Sequence, residues 1–376
     1  MIAFTPYSIK RSPLLLFWLA FFPAQLFAQP DSEPSHPKGG RSQSEVRSAA
    51  QPIAITLTQD AGAHKVTILA GGRPFTEFIY PGTLEKPTLY PIYAPDGQLI
   101  TRGFPLQPRT GEPVDHPHHL GLWFNYENVN GLDFWNNSYA IPAEKKRQYG
   151  WIRTDKILRA ESGPEKGTLQ YNANWTDQQQ NVLLQESTTY TFSAKGTERI
   201  IDRMTILTAR QDITMPDAKD GLLGLRVTRE LQIPSNTPGQ FVDDKGNVTK
   251  VAAGNAPDIN GDYLTEKGEK GDSAWGTRAG WCLLYGKKQQ DTLSIAIIDH
   301  PANPGYPTYW HARGYGLFAA NPLGQKIFSN GKEILNFHLK KGESVTFRYR
   351  IVIAAGDKRL STGRIRQLAD VFGKLK

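Results

Sequence analysis

The chain is poor in the features that mark several large protein classes. It has a single cysteine in 376 residues, Cys282. One thiol excludes a disulfide framework and a four-cysteine zinc site, and between Trp281 and Leu283 it reads as a buried apolar residue. Long apolar runs are missing too. The longest, Leu14–Phe22, is shorter than the ~20 residues of a spanning helix and is bracketed by Pro13 and Pro23. No Gly-x-Ser-x-Gly elbow, P-loop, dinucleotide glycine fingerprint or His-Glu-x-x-His occurs, so the nucleophile, nucleotide and zinc-peptidase chemistries that need them are not expected. Neither sign of charge dominates: 44 basic residues face 36 acidic ones.

What is present describes a large folded body. Residues are 39% hydrophobic and 11% aromatic, beyond what a disordered chain carries. The basic residues are mixed with acidic ones, as in Glu144-Lys145-Lys146-Arg147, so no stripe for nucleic acid forms, although attraction to acidic polysaccharides stays open. Lys10-Arg11, the apolar Leu14–Phe22 and Ala24-Gln25-Leu26-Phe27-Ala28 make a secretory signal over 1–28, cut at Ala28/Gln29. The cut removes two basic residues and lowers the net charge from +8 to +6. A periplasmic or secreted protein without a membrane anchor is expected. Residues 29–51 are polar and predict a flexible leader.

From Pro52 the period becomes two: Ile53, Ile55 and Leu57, then Val66, Ile68 and Ala70. The texture returns at 188–192, 199–207, 225–233, 293–298 and 345–353, between Gly, Pro, Asn and Asp. No dozen-residue crossover helices intervene, so the fold class is all-β, a large antiparallel two-sheet sandwich occupying 52–376 as one domain. Val242–Gly276, polar and glycine-rich, reads as a long insertion loop. Ile365, Leu368, Ala369 and Phe372, capped by Ser361 or Thr362, predict one C-terminal helix on the sandwich rim.

Polar chemistry concentrates in three stretches. Asp115-His116-Pro117-His118-His119 places three of eight histidines in four positions. Pro117 predicts an extended His116, with His116 and His118 on one face and His119 on the other. Such imidazoles suit proton transfer near neutral pH or metal ligation. The second stretch, Asn128–Asn137, combines Asp133, Trp135 and Asn136, the carboxylate, ring and amide that a sugar site needs. The third runs from Asp299-His300-Pro301 through Trp310-His311-Ala312-Arg313 to Asn321-Pro322. Its prolines stiffen a loop carrying His311 and Arg313, and Arg102 is a second cation that could converge with Arg313 on a carboxylate or oxyanion. His116, His118, His311, Asp299 and Asp133 are therefore the catalytic candidates. Arg102, His119, Trp135, Asn136, His300, Trp310, Arg313 and Asn321 are the binding candidates, with Trp135 and Trp310 as the sugar platform.

The strings His116–Phe124, Val129–Trp135 and Trp310–Phe318 resemble a family of exported bacterial proteins often labelled "methane oxygenase PmoA", over about Pro52 to Ala355. The resemblance implies a β-sandwich related in shape to galactose mutarotase and polysaccharide-lyase sandwiches. In those, histidines and a carboxylate on the concave sheet perform acid–base chemistry on sugars, and family members tend to accompany sugar oxidoreductases. Membrane methane oxygenase activity is not expected, because the subunit of that name spans the membrane repeatedly.

The functional expectation is an exported carbohydrate-active enzyme of epimerase, lyase or hydrolase type. It needs no assigned cofactor or metal, and its partner is a small sugar or glycoside. Two alternatives stand beside it: a non-catalytic carbohydrate-binding protein, and a metalloenzyme with His116, His118 and His311 as ligands.

Overall fold

The structure is a computed structural model describing residues 51–235, 238–243, 245–251 and 258–375. The signal expected at 1–28 and the leader up to Ala50 lie outside the described residues.

Two antiparallel sheets face each other. In the first, of nine strands among the described residues, the order runs Asp262–Thr265, Trp281–Lys288, Asp291–Asp299, Ser344–Gly356, Glu198–Ala209, Val182–Lys195, Lys166–Thr176, Trp151–Glu161, with Pro52–Ile53 beside Val182–Lys195. The second, of eight, runs Tyr309–Arg313, Leu317–Asn321, Gly221–Arg226, Leu122–Tyr126, Thr88–Ile92, Arg73–Ile79, Lys65–Ala70, Ile55–Asp60. Alternation explains the assembly. Every second residue of Glu198–Ala209 is buried, and the inward sets of both sheets merge into one core containing Phe78, Phe124, Tyr171, Ile201, Trp310 and Tyr349.

The expected sandwich is therefore present, with four local differences. The ladder expected over 225–233 stops at Arg226, opposite Leu317, where the neighbouring strand begins. Beyond it the pairing is reduced to single contacts, Val227 N–H to the Gly316 carbonyl and Thr228 N–H to the Ile100 carbonyl, and Arg229–Leu231 closes a 3₁₀ turn. Val242–Gly276 is not one loop: Gly239–Val242 pairs with Val248–Val251, and Asp262–Thr265 forms a sheet edge with Tyr263 buried. Polar flanks hid that short alternation. The C-terminal helix, Thr362–Phe372, begins at Ser361, whose Oγ accepts the Arg364 N–H at 3.1 Å. Ile365, Leu368 and Phe372 pack against Trp281, Leu283, Ala296 and Val352, so it covers the outward face of the nine-stranded sheet rather than a rim. A one-turn helix, Gln325–Phe328, is also present.

Candidate active site

The outward face of the eight-stranded sheet carries the unusual chemistry. Trp123 pairs with Gly224, Gly224 with Ala319 and Ala319 with His311, so these four side positions form one row across four strands. Arg226, Leu317 and Arg313 form the next row on that face. One residue along, Trp310, Ala320, Leu223 and Phe124 point inward to the core. Gly224 is required here: a Cβ would come within 2.5 Å of Trp123, whose indole fills the space together with Trp135.

The Asp115–His119 segment is a turn lying over this face, closed by His119 N–H donating to the His116 carbonyl at 3.1 Å. His116 is not extended. Its φ is +46°, which swings its ring back so that Nδ1 lies 2.5 Å from Asp115 Oδ2. The three imidazoles therefore gather instead of alternating. His116 stacks on His119 at 4.9 Å and on Tyr315 at 4.8 Å, and His118 meets His119 edge-on at 4.3 Å.

Two sealed arginines hold the turn. Asp115 Oδ1 accepts from Arg102 at 2.8 Å and from Arg226 at 2.6 Å. Arg102 also donates to the carbonyls of Asp115 at 2.7 Å and His116 at 3.0 Å. The side chains of both arginines are wholly buried, so Arg102 cannot touch a ligand, and it converges with Arg226 rather than with Arg313. Burial pushes the Asp115 carboxyl up, but the His116 hydrogen bond and the Arg226 and Arg102 charges outweigh it and hold the group below the usual carboxylate range.

Tautomers follow from donors and acceptors. A guanidinium only donates, so His119 Nδ1, 3.1 Å from Arg226, accepts, and its proton sits on Nε2. The ionised Asp115 only accepts, so His116 Nδ1 donates, and Nε2 is the ring nitrogen left for a ligand. The His116 side chain is 40% exposed, so part of its ring is open to a ligand. His118 and His119 are held neutral, well below the ordinary histidine value. For His118 the causes are burial, then the Lys86 charge; for His119 they are burial, then His118. Lys86 itself is buried over the Trp123 ring, with one 3.4 Å bond to the Trp135 carbonyl, and burial lowers it to about 8.

His311 shares the face but faces Asp220, 3.4 Å away and outside hydrogen-bond alignment. Burial and then Lys219 push the imidazole down to about 3, while burial raises Asp220 to about 6. Asp133 accepts from Asn136 N–H and Nδ2, both at 2.9 Å, and borders an open cleft of about 700 Å³ with Glu127, Asp217 and Lys219. Among the described residues no group of three or more His, Cys, Asp or Glu side chains is placed to hold a metal, so His116, His118 and His311 do not form a ligand set.

Other candidates lie elsewhere. Trp310 is in the core, donating to the Ala279 carbonyl, and Trp135 is sealed against Trp123 and His119; neither ring can serve as a sugar platform. Asn321 is a buried bracket for the carbonyls of Ala218 and Lys219. Asp299 accepts from Asn303 at 2.7 Å and from Thr308 N–H at 2.8 Å, and His300 packs on Phe372 of the C-terminal helix. Among the described residues no hydrogen bond of Asp299 or His300 reaches the histidine turn.

Sequence reasoning missed Asp115, Arg226, Tyr315, Asp220 and Lys86. Arg226 had a usable signal, a charge ending the apolar run Gly221–Leu225, and Tyr315 another, an aromatic between two glycines. Lys86 and Asp220 had none.

The fold and site together define a two-sheet antiparallel sandwich with a histidine–carboxylate turn braced by buried arginines. The chain belongs to the family of unknown function DUF6807, which matches residues 65–370. No curated protein sequence matches it. Among solved structures it is similar to the GH36 alpha-galactosidase AgaB from Geobacillus stearothermophilus, at 11% identity and TM-score 0.37, covering 81% of this chain and 41% of that one. The chain thus spans less than half of that enzyme. It is also similar to a GalM/aldose epimerase homologue from C. elegans (11%, TM-score 0.31, 81% and 99% covered). A galactose mutarotase-like protein from Clostridium acetobutylicum scores alike (11%, 0.38, 81% and 99%). Scores this low carry no argument; the sandwich rests on its own strand pairing. Among the described residues no helix is long and apolar enough to cross a membrane.

Proposed function

We propose that this protein is an exported carbohydrate-active enzyme using histidine acid–base chemistry, of epimerase, lyase or hydrolase type. One observation carries the reading: the Asp115–His116 pair, with Nδ1–H bound to a carboxylate on a partly exposed imidazole. In that arrangement His116 Nε2 takes a proton from a sugar hydroxyl or from a carbon beside a carbonyl. Asp115 stabilises the imidazolium, which then returns the proton. Arg102 and Arg226 are positioning residues; they fix Asp115 and the His119 tautomer. The family resemblance of the three motif strings supports sugars as the substrate class. The methane-oxygenase label adds nothing to this chemistry.

The test is a panel of aldoses, uronates and glycosides followed by NMR in D₂O with wild type and His116→Gln. Turnover of a panel member, lost in the variant while binding persists, is expected. Saturable binding without any turnover makes the protein a non-catalytic carbohydrate binder, and unchanged turnover in His116→Gln removes the dyad as the base. Export is tested by N-terminal sequencing of the mature protein, expected to begin at Gln29.

A further inference from the structure

Arg313 differs from the two sealed arginines. It ends the Tyr309–Arg313 strand on the face that also carries His311 and Arg226. Its side chain is partly exposed and, among the described residues, its guanidinium makes no hydrogen bond and no ion pair. Its contacts are two rings, Trp275 at 5.6 Å and Tyr315 at 5.8 Å. Rings at cation–π range use no N–H of a guanidinium and so leave its donor fork available to an incoming acceptor.

Both rings are anchored. Tyr315 stacks on His116 at 4.8 Å and 5°. Trp275, 37% exposed, stands edge-on to Phe328 at 5.6 Å, and Phe328 in turn stacks on Tyr309 at 5.4 Å. His116, Tyr315, Arg313 and Trp275 thus make one continuous strip, from the proposed base to an accessible indole. That indole is the aromatic surface which Trp135 and Trp310, both sealed, cannot provide.

We propose that Arg313, held between Trp275 and Tyr315, is a carboxylate-recognition subsite, and that the ligand is an acidic sugar whose ring packs on Trp275. This rests on the carbohydrate reading above and narrows its substrate class. A planar guanidinium fork matches the two oxygens of a carboxylate, a bidentate pairing that a neutral hydroxyl cannot reproduce.

Calorimetry on the full chain tests it, with galacturonate and glucuronate, their methyl esters, galactose, glucose and glucose 6-phosphate as probes. Wild type should bind a uronate more tightly than its methyl ester and its neutral parent. In Arg313→Gln that preference should collapse, by about 10- to 100-fold. Arg313→Lys, which keeps the charge but loses the fork, should recover part of it. Trp275→Ala should weaken uronate and ester together, by several-fold. Unchanged melting temperatures in the variants exclude misfolding as the cause.

Equal binding of uronate and ester by wild type, or a preference that survives in Arg313→Gln, overturns the proposal, as does tighter binding of the sugar phosphate than of any uronate. The two readings fail separately. Arg313-dependent uronate binding without turnover sustains this subsite and removes the enzyme. A His116-dependent turnover of a neutral sugar that ignores Arg313 does the reverse.

Discussion

The tripeptide Asp-His-Pro occurs twice, at Asp115-His116-Pro117 and Asp299-His300-Pro301, and the two copies do different things. In the first, the positive φ of His116 folds the imidazole onto its own aspartate, and two buried guanidiniums fix that aspartate from below. In the second the pair separates. Asp299 turns inward to Asn303 and Thr308, while His300 turns outward to Phe372 and the Leu375 carbonyl. Identical local chemistry becomes a candidate acid–base dyad in one place and two structural brackets in the other. The surroundings decide which, because a carboxylate goes to whichever strong donors its burial leaves within reach.

The largest expected contrast is in the aspartates. Asp115→Asn leaves Arg102 and Arg226 buried without their counter-charge, and urea unfolding should show a loss of about 3–5 kcal/mol together with loss of turnover. Asp299→Asn removes a carboxylate bound only by neutral donors, and should cost about 1–3 kcal/mol with turnover intact. Equal costs at the two sites would dissolve the distinction.

The histidines should separate next. His116→Gln should lower turnover by ~10²–10⁴-fold, the usual contribution of a general base. His300→Gln should leave turnover unchanged and lower stability by about 1 kcal/mol. A turnover defect in His300→Gln equal to that of His116→Gln would contradict the assignment.

Lys86, buried beside the first copy, sharpens the contrast further. Its folded value of about 8 lies below the ordinary lysine value of 10.5, so its stability contribution is fully present above about 10.5 and is lost as pH falls through about 8. Lys86→Met should therefore stabilise the protein at pH 7 by about 3 kcal/mol, and the gain should fade above pH ~10. Denaturant unfolding at pH 7 and 10 checks it; a destabilised variant at pH 7 would show that the ammonium is well compensated.

The pH slopes have opposite signs in the two regions. His118 and His119 are depressed, so they favour the native state above the ordinary histidine value of 6.5 and lose that contribution as pH falls. Each costs about 1.4 kcal/mol per pH unit where the unfolded chain binds its proton and the folded one does not. Asp299 is raised to about 7 by burial against the bonds from Asn303 and Thr308. Its contribution is complete below the ordinary aspartate value of 3.8 and declines as pH rises through about 7. Unfolding series between pH 4 and 7 should show Asp299→Asn steepening the acid-side fall and His119→Gln flattening it.

How far the site could be read in the sequence depends on which contacts are local. The clustering of His116, His118 and His119 was visible because it is contiguous, but their directions were not. Extended geometry predicted opposite faces, whereas a turn closed between residues 116 and 119 gathers the rings. Trp310 and His311 were read together because they are adjacent, yet adjacency in a strand is what sends one to the core and the other to the outer face. Arg226 lies over a hundred positions from Asp115, and only the pairing of Gly221–Arg226 with Leu122–Tyr126 brings it there.

The chain itself determined the all-β class, the C-terminal helix with its start at Ser361 or Thr362, and the places where polar chemistry is dense. Those depend on periodicity and on neighbours a few residues apart, which any segment carries with it. Tertiary structure alone decided which aspartate holds a histidine, which arginines are sealed and which one is left open, and which indole meets solvent. Those outcomes depend on strand order and on what lies on the far side of each sheet, and no local pattern encodes either.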